Sequence, residues 1–138
     1  MGISQNTSDL RLTGSIASTA IIAPVTVNAG ATSADSSVLD FHAKYPKQLL
    51  FTIAGTFATT SATTGLRLQV FYSPDNSAWD TDAYATIEPT FTASAGTSQT
   101  KQKTRPITVG PGYYKCNVVN LDASVNATAV KVTASEVV

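Results

Sequence analysis

The chain has 138 residues, and its nine Lys and Arg balance nine Asp and Glu to a formal net charge of zero. A chain this long holds one domain that buries roughly two-thirds of its unfolded surface without staples, and its 43% hydrophobic residues supply the core. The missing basic excess argues against free nucleic-acid binding and against a polybasic membrane contact; one Cys and one His leave no internal disulfide and no His- or Cys-based zinc site within one chain.

Charged residues are only 13% of the chain, about half the usual quarter. Thr, Ser and Ala fill the gap. A neutral, charge-poor surface tends to self-associate, so much of this surface is expected to face other proteins. No run reaches the ~20 apolar residues of a membrane span. The start, Met1 to Asn6, lacks the charged opening of a signal peptide. Export by a standard signal is therefore not expected, and release within a virus particle is another route out of a cell.

Residues 1–36 are small and polar, interrupted by Leu10-Arg11-Leu12 and by Ile21 to Val27. Both pieces suit strands, and Pro24 makes the second an edge or irregular one. This segment reads as an N-terminal extended arm or a peripheral strand layer, and residues 37–138 as the main domain. Val38 to Phe41 is a short apolar piece, and Lys44-Tyr45-Pro46-Lys47 a connection. Leu49, Phe51, Ile53 and Phe57 lie on one face of a strand, and a Thr/Ser/Ala loop follows from Ala58 to Gly65. Leu66, Leu68, Val70 and Tyr72 alternate with Arg67, Gln69, Phe71 and Ser73, which marks a central strand.

Ser73-Pro74-Asp75-Asn76 fits a type I turn, in which Pro presets the backbone and Asn tolerates the left-handed region. A strand is expected near Tyr84–Phe91, and a turn at Ala95-Gly96. Residues 97–105 are polar on both faces and suit a sheet edge or a partner contact. Ile107-Thr108-Val109 is short and apolar, and Gly110-Pro111-Gly112 is a strong turn signal. Tyr114, Cys116 and Val118 alternate with Tyr113, Lys115 and Asn117. The last strand, near Thr128–Ala134, points Val130 and Val132 inward. Apolar residues do not recur at helical spacing, and strands arrive about every ten residues between turns. The fold class is all-β: an antiparallel β-sandwich, jelly-roll or Ig-like.

Asp75, Asp80 and Asp82 form the one acidic cluster. They do not match the spacing of an EF-hand loop; the simpler reading is that Asp75 and Asn76 shape a turn and Asp80 ends a strand. Lys101, Lys103 and Arg105 share one face of a strand, spaced by ~7 Å. They guard a sheet edge against unwanted pairing, and any contact they make is expected to be with a neighbouring protein. Trp79 with Tyr72 and Tyr84 could form a sugar-stacking platform, although a Trp so placed more often caps a core. Cys116 between apolar alternates reads as an inert core residue, and His42 has no local catalytic context. The chain has no phosphate loop, no dinucleotide fingerprint and no Ser-His-Asp order worth proposing. An enzyme is not expected, and neither is a cofactor.

The stretch Gly65-Leu66-Arg67-Leu68-Gln69-Val70-Phe71-Tyr72-Ser73-Pro74-Asp75-Asn76-Ser77-Ala78-Trp79-Asp80-Thr81 resembles a segment of small virion proteins of tailed bacteriophages. In those, a strand ends in Tyr-Ser-x-Asp-Gly, a Trp-Asp-Thr follows, and an aromatic residue leads the next strand. Tyr84-Ala85-Thr86 continues the likeness, as does the Gly112-Tyr113-Tyr114 strand ending near Asn120-Leu121-Asp122. The resemblance spans roughly residues 47–134. It departs at Asn76, where Gly is usual; Asn is the next best residue for that backbone angle.

The resemblance implies a β-sandwich that assembles onto a phage particle, and it carries over no catalytic residue. The expected function is a structural virion protein, a head decoration protein, with a tail, collar or fibre position close behind. Its partners would be the major capsid or other virion proteins, the chain itself is expected to form a homo-oligomer, a trimer or a dimer, and its location would be the virion, assembled in the host cytoplasm. The alternative is a carbohydrate-binding module using Trp79, Tyr72 and Tyr84.

Overall fold

A computed structural model describes residues 19–43, 47–58, 65–91 and 97–137. Residues 1–18 of the expected arm, the Tyr45-Pro46 connection and the Ala95-Gly96 turn lie outside the described residues. The described chain is all strand: β1 (Thr19–Val27), β2 (Leu39–Asp40), β3 (Lys47–Phe57), β4 (Leu66–Ser73), β5 (Ala85–Ile87), β6 (Gln99–Val109), β7 (Tyr113–Asn120) and β8 (Ala127–Val137). They form two antiparallel four-stranded sheets, in the orders β1-β8-β3-β6 and β2-β7-β4-β5.

This order has a simple logic. First pairs with last, second with seventh, third with sixth, and fourth with fifth. The chain is thus one long antiparallel ribbon folded at β4–β5 and rolled so that alternate pairs fall in opposite sheets. That is the jelly roll, so of the two sandwich types left open by the sequence the Ig-like one is set aside. The contacts β3–β8 and β4–β7 close each sheet across the roll.

Period-two alternation builds the core. Leu49, Phe51, Ile53 and Phe57 of β3 face Leu66, Leu68 and Val70 of β4, all nearly inaccessible. Tyr114, Cys116 and Val118 of β7 fill the same layer. Gly55 takes an inward place on β3 because the Leu66 and Val130 side chains already occupy the room a Cβ would need. In β8 a bulge falls at Ala129, which has φ 52°, and register breaks between Ala54 and Thr56 opposite. The extra residue resets the alternation, so Ala127, Val130 and Val132 are all buried. Each buried Val, Leu, Ile or Phe side chain contributes ~1.5–3 kcal/mol.

Two expected elements differ in extent. The strand near Tyr84–Phe91 is only Ala85–Ile87; Phe91 leaves the sheet and stands edge-on to Phe57, centroids 4.8 Å apart. Residues 97–109, read as a polar edge plus a short apolar piece, form one continuous strand paired with β3 from Gln99 to Val109.

Residues 28–38 cross from one sheet to the other and run beside β7. Ser33 and Ser36 donate their backbone N–H to the carbonyls of Val118 and Cys116. Their hydroxyls accept from the N–H groups of Val118 (2.9 Å) and Cys116 (3.0 Å). Side-chain oxygens thereby stand in for a strand's carbonyls along this edge of β7. At the far end Asn120, buried, donates to the carbonyls of Val27 (3.1 Å) and Val125 (2.8 Å) and accepts from the Asp122 N–H. It ties β1, β7 and the approach to β8 together.

Candidate functional site

Register places Lys101, Lys103 and Arg105 opposite Gly55, Ile53 and Phe51, on the core-facing side of β6. They escape burial because β6 is the outermost strand and the facing β5 is short. Lys101 and Arg105 are exposed, and the Lys103 ammonium donates to the Glu88 carbonyl at 3.1 Å. None of the three has an ion-pair partner among the described residues, whereas Lys47, Arg67 and Lys115 pair with Glu136, Glu88 and Asp35. Inward-pointing charge on an edge strand is a device against edge-to-edge pairing. The other edges are blunted differently: β1 carries Pro24 and three register shifts, β5 is three residues long, and β2 is two.

The outer face of the first sheet is the opposite in character. Outward side chains of β3 are Gln48, Leu50, Thr52, Ala54 and Thr56, and those of β6 include Thr100, Gln102 and Thr104. Threonine hydroxyls bond across the strands, Thr52 to Thr104 and Thr56 to Thr100, each at 2.7 Å. Lys131 is the one charge among the described outward residues of β3, β6 and β8. Strands of this length, ~4.8 Å apart, span a face of about 20 Å by about 30 Å.

Tyr72, Tyr84 and Trp79 do not form one platform. Tyr72 and Tyr84 lie with Tyr114 at the core side of the second sheet, with centroids 5.3–6.3 Å apart. Their hydroxyls cap the β6–β7 turn: Tyr72 donates to the Pro111 carbonyl (3.1 Å), Tyr84 to that of Thr108 (2.7 Å), and Tyr114 accepts from the Gly110 N–H (2.9 Å). Gly112, with φ 140°, lets the turn lie flat on the Tyr72 ring. The cause of the separation is the turn at 73–78. Asn76 is left-handed at φ 61°, and the Asp75 carboxylate accepts from the N–H groups of Ser77 and Ala78, both at 2.9 Å. Those two N–H groups hold its pKa below the ordinary carboxylate value. The chain reverses there and folds Trp79 back over the outer face.

On that face Trp79, Phe71, Asp80, Lys115, Asn117 and Asp35 enclose a shallow hollow of about 200 Å³. Phe71 and Lys115 are cross-strand neighbours on β4 and β7. The Lys115 ammonium lies 4.6 Å from the centre of the Trp79 ring and 2.9 Å from the Asp35 carboxylate. The Asn117 amide donates to Asp35 at 3.0 Å. The hydrogen bond from Lys115 is the chief reason that Asp35 titrates below its ordinary value. The Asn117 carbonyl oxygen is buried with no hydrogen-bond donor, a condition that ordinarily costs ~1–3 kcal/mol. Sequence reading singled out Trp79 and Asp80 in this group and missed Phe71, Asp35, Lys115 and Asn117. An aromatic residue on the outward beat of a strand, as Phe71 is, was the available signal.

Asp75, Asp80 and Asp82 do not converge, and no group of three His, Cys, Asp or Glu among the described residues could hold a metal ion. Cys116 is buried in the core, and desolvation pushes its thiol up to about 11. No described helix is long and apolar enough to cross a membrane. Compared with known proteins, the chain matches no protein-family model and no curated protein at a significant level.

Proposed function

We propose that this chain is a non-enzymatic structural protein of a bacteriophage virion, a decoration protein that binds the head lattice through the outer face of its first sheet. What carries the reading is that face: four strands wide, hydroxyl-laddered, and charged only at Lys131 among the described outward residues of β3, β6 and β8. Its extent, about 600 Å², approaches the ~800 Å² that each partner contributes to a standard protein interface. The threonines, half-buried at Thr52 and Thr56 and exposed at Thr100 and Thr104, lose little on desolvation because they already bond one another. The resemblance of residues 65–81 to phage virion segments supports the same reading. The jelly roll is compatible with it, since that fold serves capsid proteins and lectins alike.

Attachment to a lattice multiplies weak contacts by repetition, so no deep pocket is needed. Lys101, Lys103 and Arg105, on the other side of β6, would meet acidic groups only of a neighbouring capsid subunit that reaches round this sheet edge. Sedimentation of the purified chain with undecorated phage heads tests the proposal. Saturable co-sedimentation that weakens about tenfold or more in Thr104→Glu supports it; no co-sedimentation, or binding indifferent to that change, contradicts it.

A further inference from the structure

We propose that the hollow on the outer face of β4 and β7 is a carbohydrate site that seats one neutral sugar ring against Trp79 and Phe71. A pyranose presents apolar C–H faces and a rim of hydroxyls. It is recognised by aromatic faces combined with carboxylates and amides that accept from and donate to those hydroxyls. The hollow supplies both sets. Trp79 and Phe71 are the aromatic surfaces, the exposed Asp80 and Asp35 are acceptors, and Lys115 is a donor. Asn117 adds the one group whose need is unmet, a buried carbonyl oxygen awaiting a donor.

Lys115 is the movable part. Its ammonium covers the indole at 4.6 Å while Asp35 holds it at 2.9 Å. A flexible four-carbon stem lets it leave the ring and keep the carboxylate, opening the indole. The charges select the ligand class. Asp35, Asp80 and Lys115 sum to one negative charge, which repels phosphates and acidic sugars. A cationic ligand would compete with Lys115 for the place it already fills. At about 200 Å³ the hollow takes one ring of a chain that continues across the open sheet. The inference stands apart from the virion proposal, because it uses the other sheet.

The single Trp gives the full chain a single indole N–H resonance. The uniformly ¹⁵N-labelled chain is titrated with D-glucose, D-galactose, D-mannose, L-rhamnose and N-acetyl-D-glucosamine, and then with oligomers of each. At least one sugar should shift the Trp79 indole and Asn117 side-chain amide resonances saturably. Asn117→Ala should weaken that binding about tenfold, and Trp79→Ala should abolish it while the resonances of Tyr114 and Val118 stay in place. Should Trp79→Ala disturb the fold, Asp80→Ala, at an exposed rim position, gives the second readout and should weaken binding as well. No saturable shift with any of these sugars, or shifts that persist in the folded variants, would overturn the proposal.

Discussion

Lys115 holds its ammonium between the Trp79 ring, 4.6 Å away, and the Asp35 carboxylate, 2.9 Å away. One side chain of β7 thus fastens both the 73–82 loop and the 28–38 crossing segment to the outer face of the second sheet. Such a cation over an indole is worth ~0.5–1 kcal/mol at an exposed site. Lys115→Met should therefore lower stability modestly, by about 1 kcal/mol, and shift the Trp79 emission spectrum. Unchanged emission would show that the pair is not held in solution.

Asp35 gives the same latch a pH dependence. Its pKa is lowered in the folded state, chiefly by the Lys115 hydrogen bond. A depressed carboxylate contributes stability above its unfolded value, near 3.9, and that contribution is lost as the pH falls through the folded value. Melting temperatures measured through the acid range should fall less steeply in Asp35→Asn than in the parent. Parallel curves would remove Asp35 from the account.

Asn120 carries the heaviest polar duty in the core. Its amide serves two backbone carbonyls, and its oxygen serves the Asp122 N–H. Asn120→Ala leaves those groups without their partner, at a cost of ~2–4 kcal/mol for the set. Chemical denaturation of the variant measures it directly. A loss below about 0.5 kcal/mol, the size of an ordinary surface change, would contradict the assignment.

Cys116 should be inert in the folded protein. Its thiol is pushed from 9.0 to about 11 by desolvation, so it stays protonated when an unfolded thiol has ionised. A raised pKa contributes stability below the unfolded value, and that contribution is lost as the pH rises from 9.0 toward about 11. A coloured disulfide reagent at neutral pH should react only after denaturation. Rapid reaction with the native chain would place the thiol outside the core.

The cations of β6 should keep copies of the chain apart. Replacing Lys101, Lys103 and Arg105 together by Thr leaves an eleven-residue edge strand without its inward charges. Sedimentation velocity should then show association beyond that of the parent. A variant with the parent's sedimentation profile would mean that another feature protects the edge.

Much of the fold was legible because alternation is a local signal. Leu49 to Phe57 and Leu66 to Tyr72 announce their strands, and Gly110-Pro111-Gly112 announces its turn. The β6 strand was harder to read, because its inward positions are Lys101, Lys103 and Arg105, and an edge strand that overhangs its partner sheet has no apolar beat. The hollow was harder still. Asn117 and Asp35 meet across 82 residues of sequence, and no local pattern encodes such a meeting. Tyr72 and Trp79 are neighbours in the chain, yet the left-handed Asn76 sends them to opposite faces of one sheet. Sequence proximity therefore suggested a platform that the turn takes apart.

The most direct measurement is a density map of undecorated phage heads reconstituted with the purified chain. The account predicts added density of sandwich size at symmetry-repeated positions, with the Thr52 and Thr104 face turned toward the shell. A lattice left bare at saturating protein would contradict it.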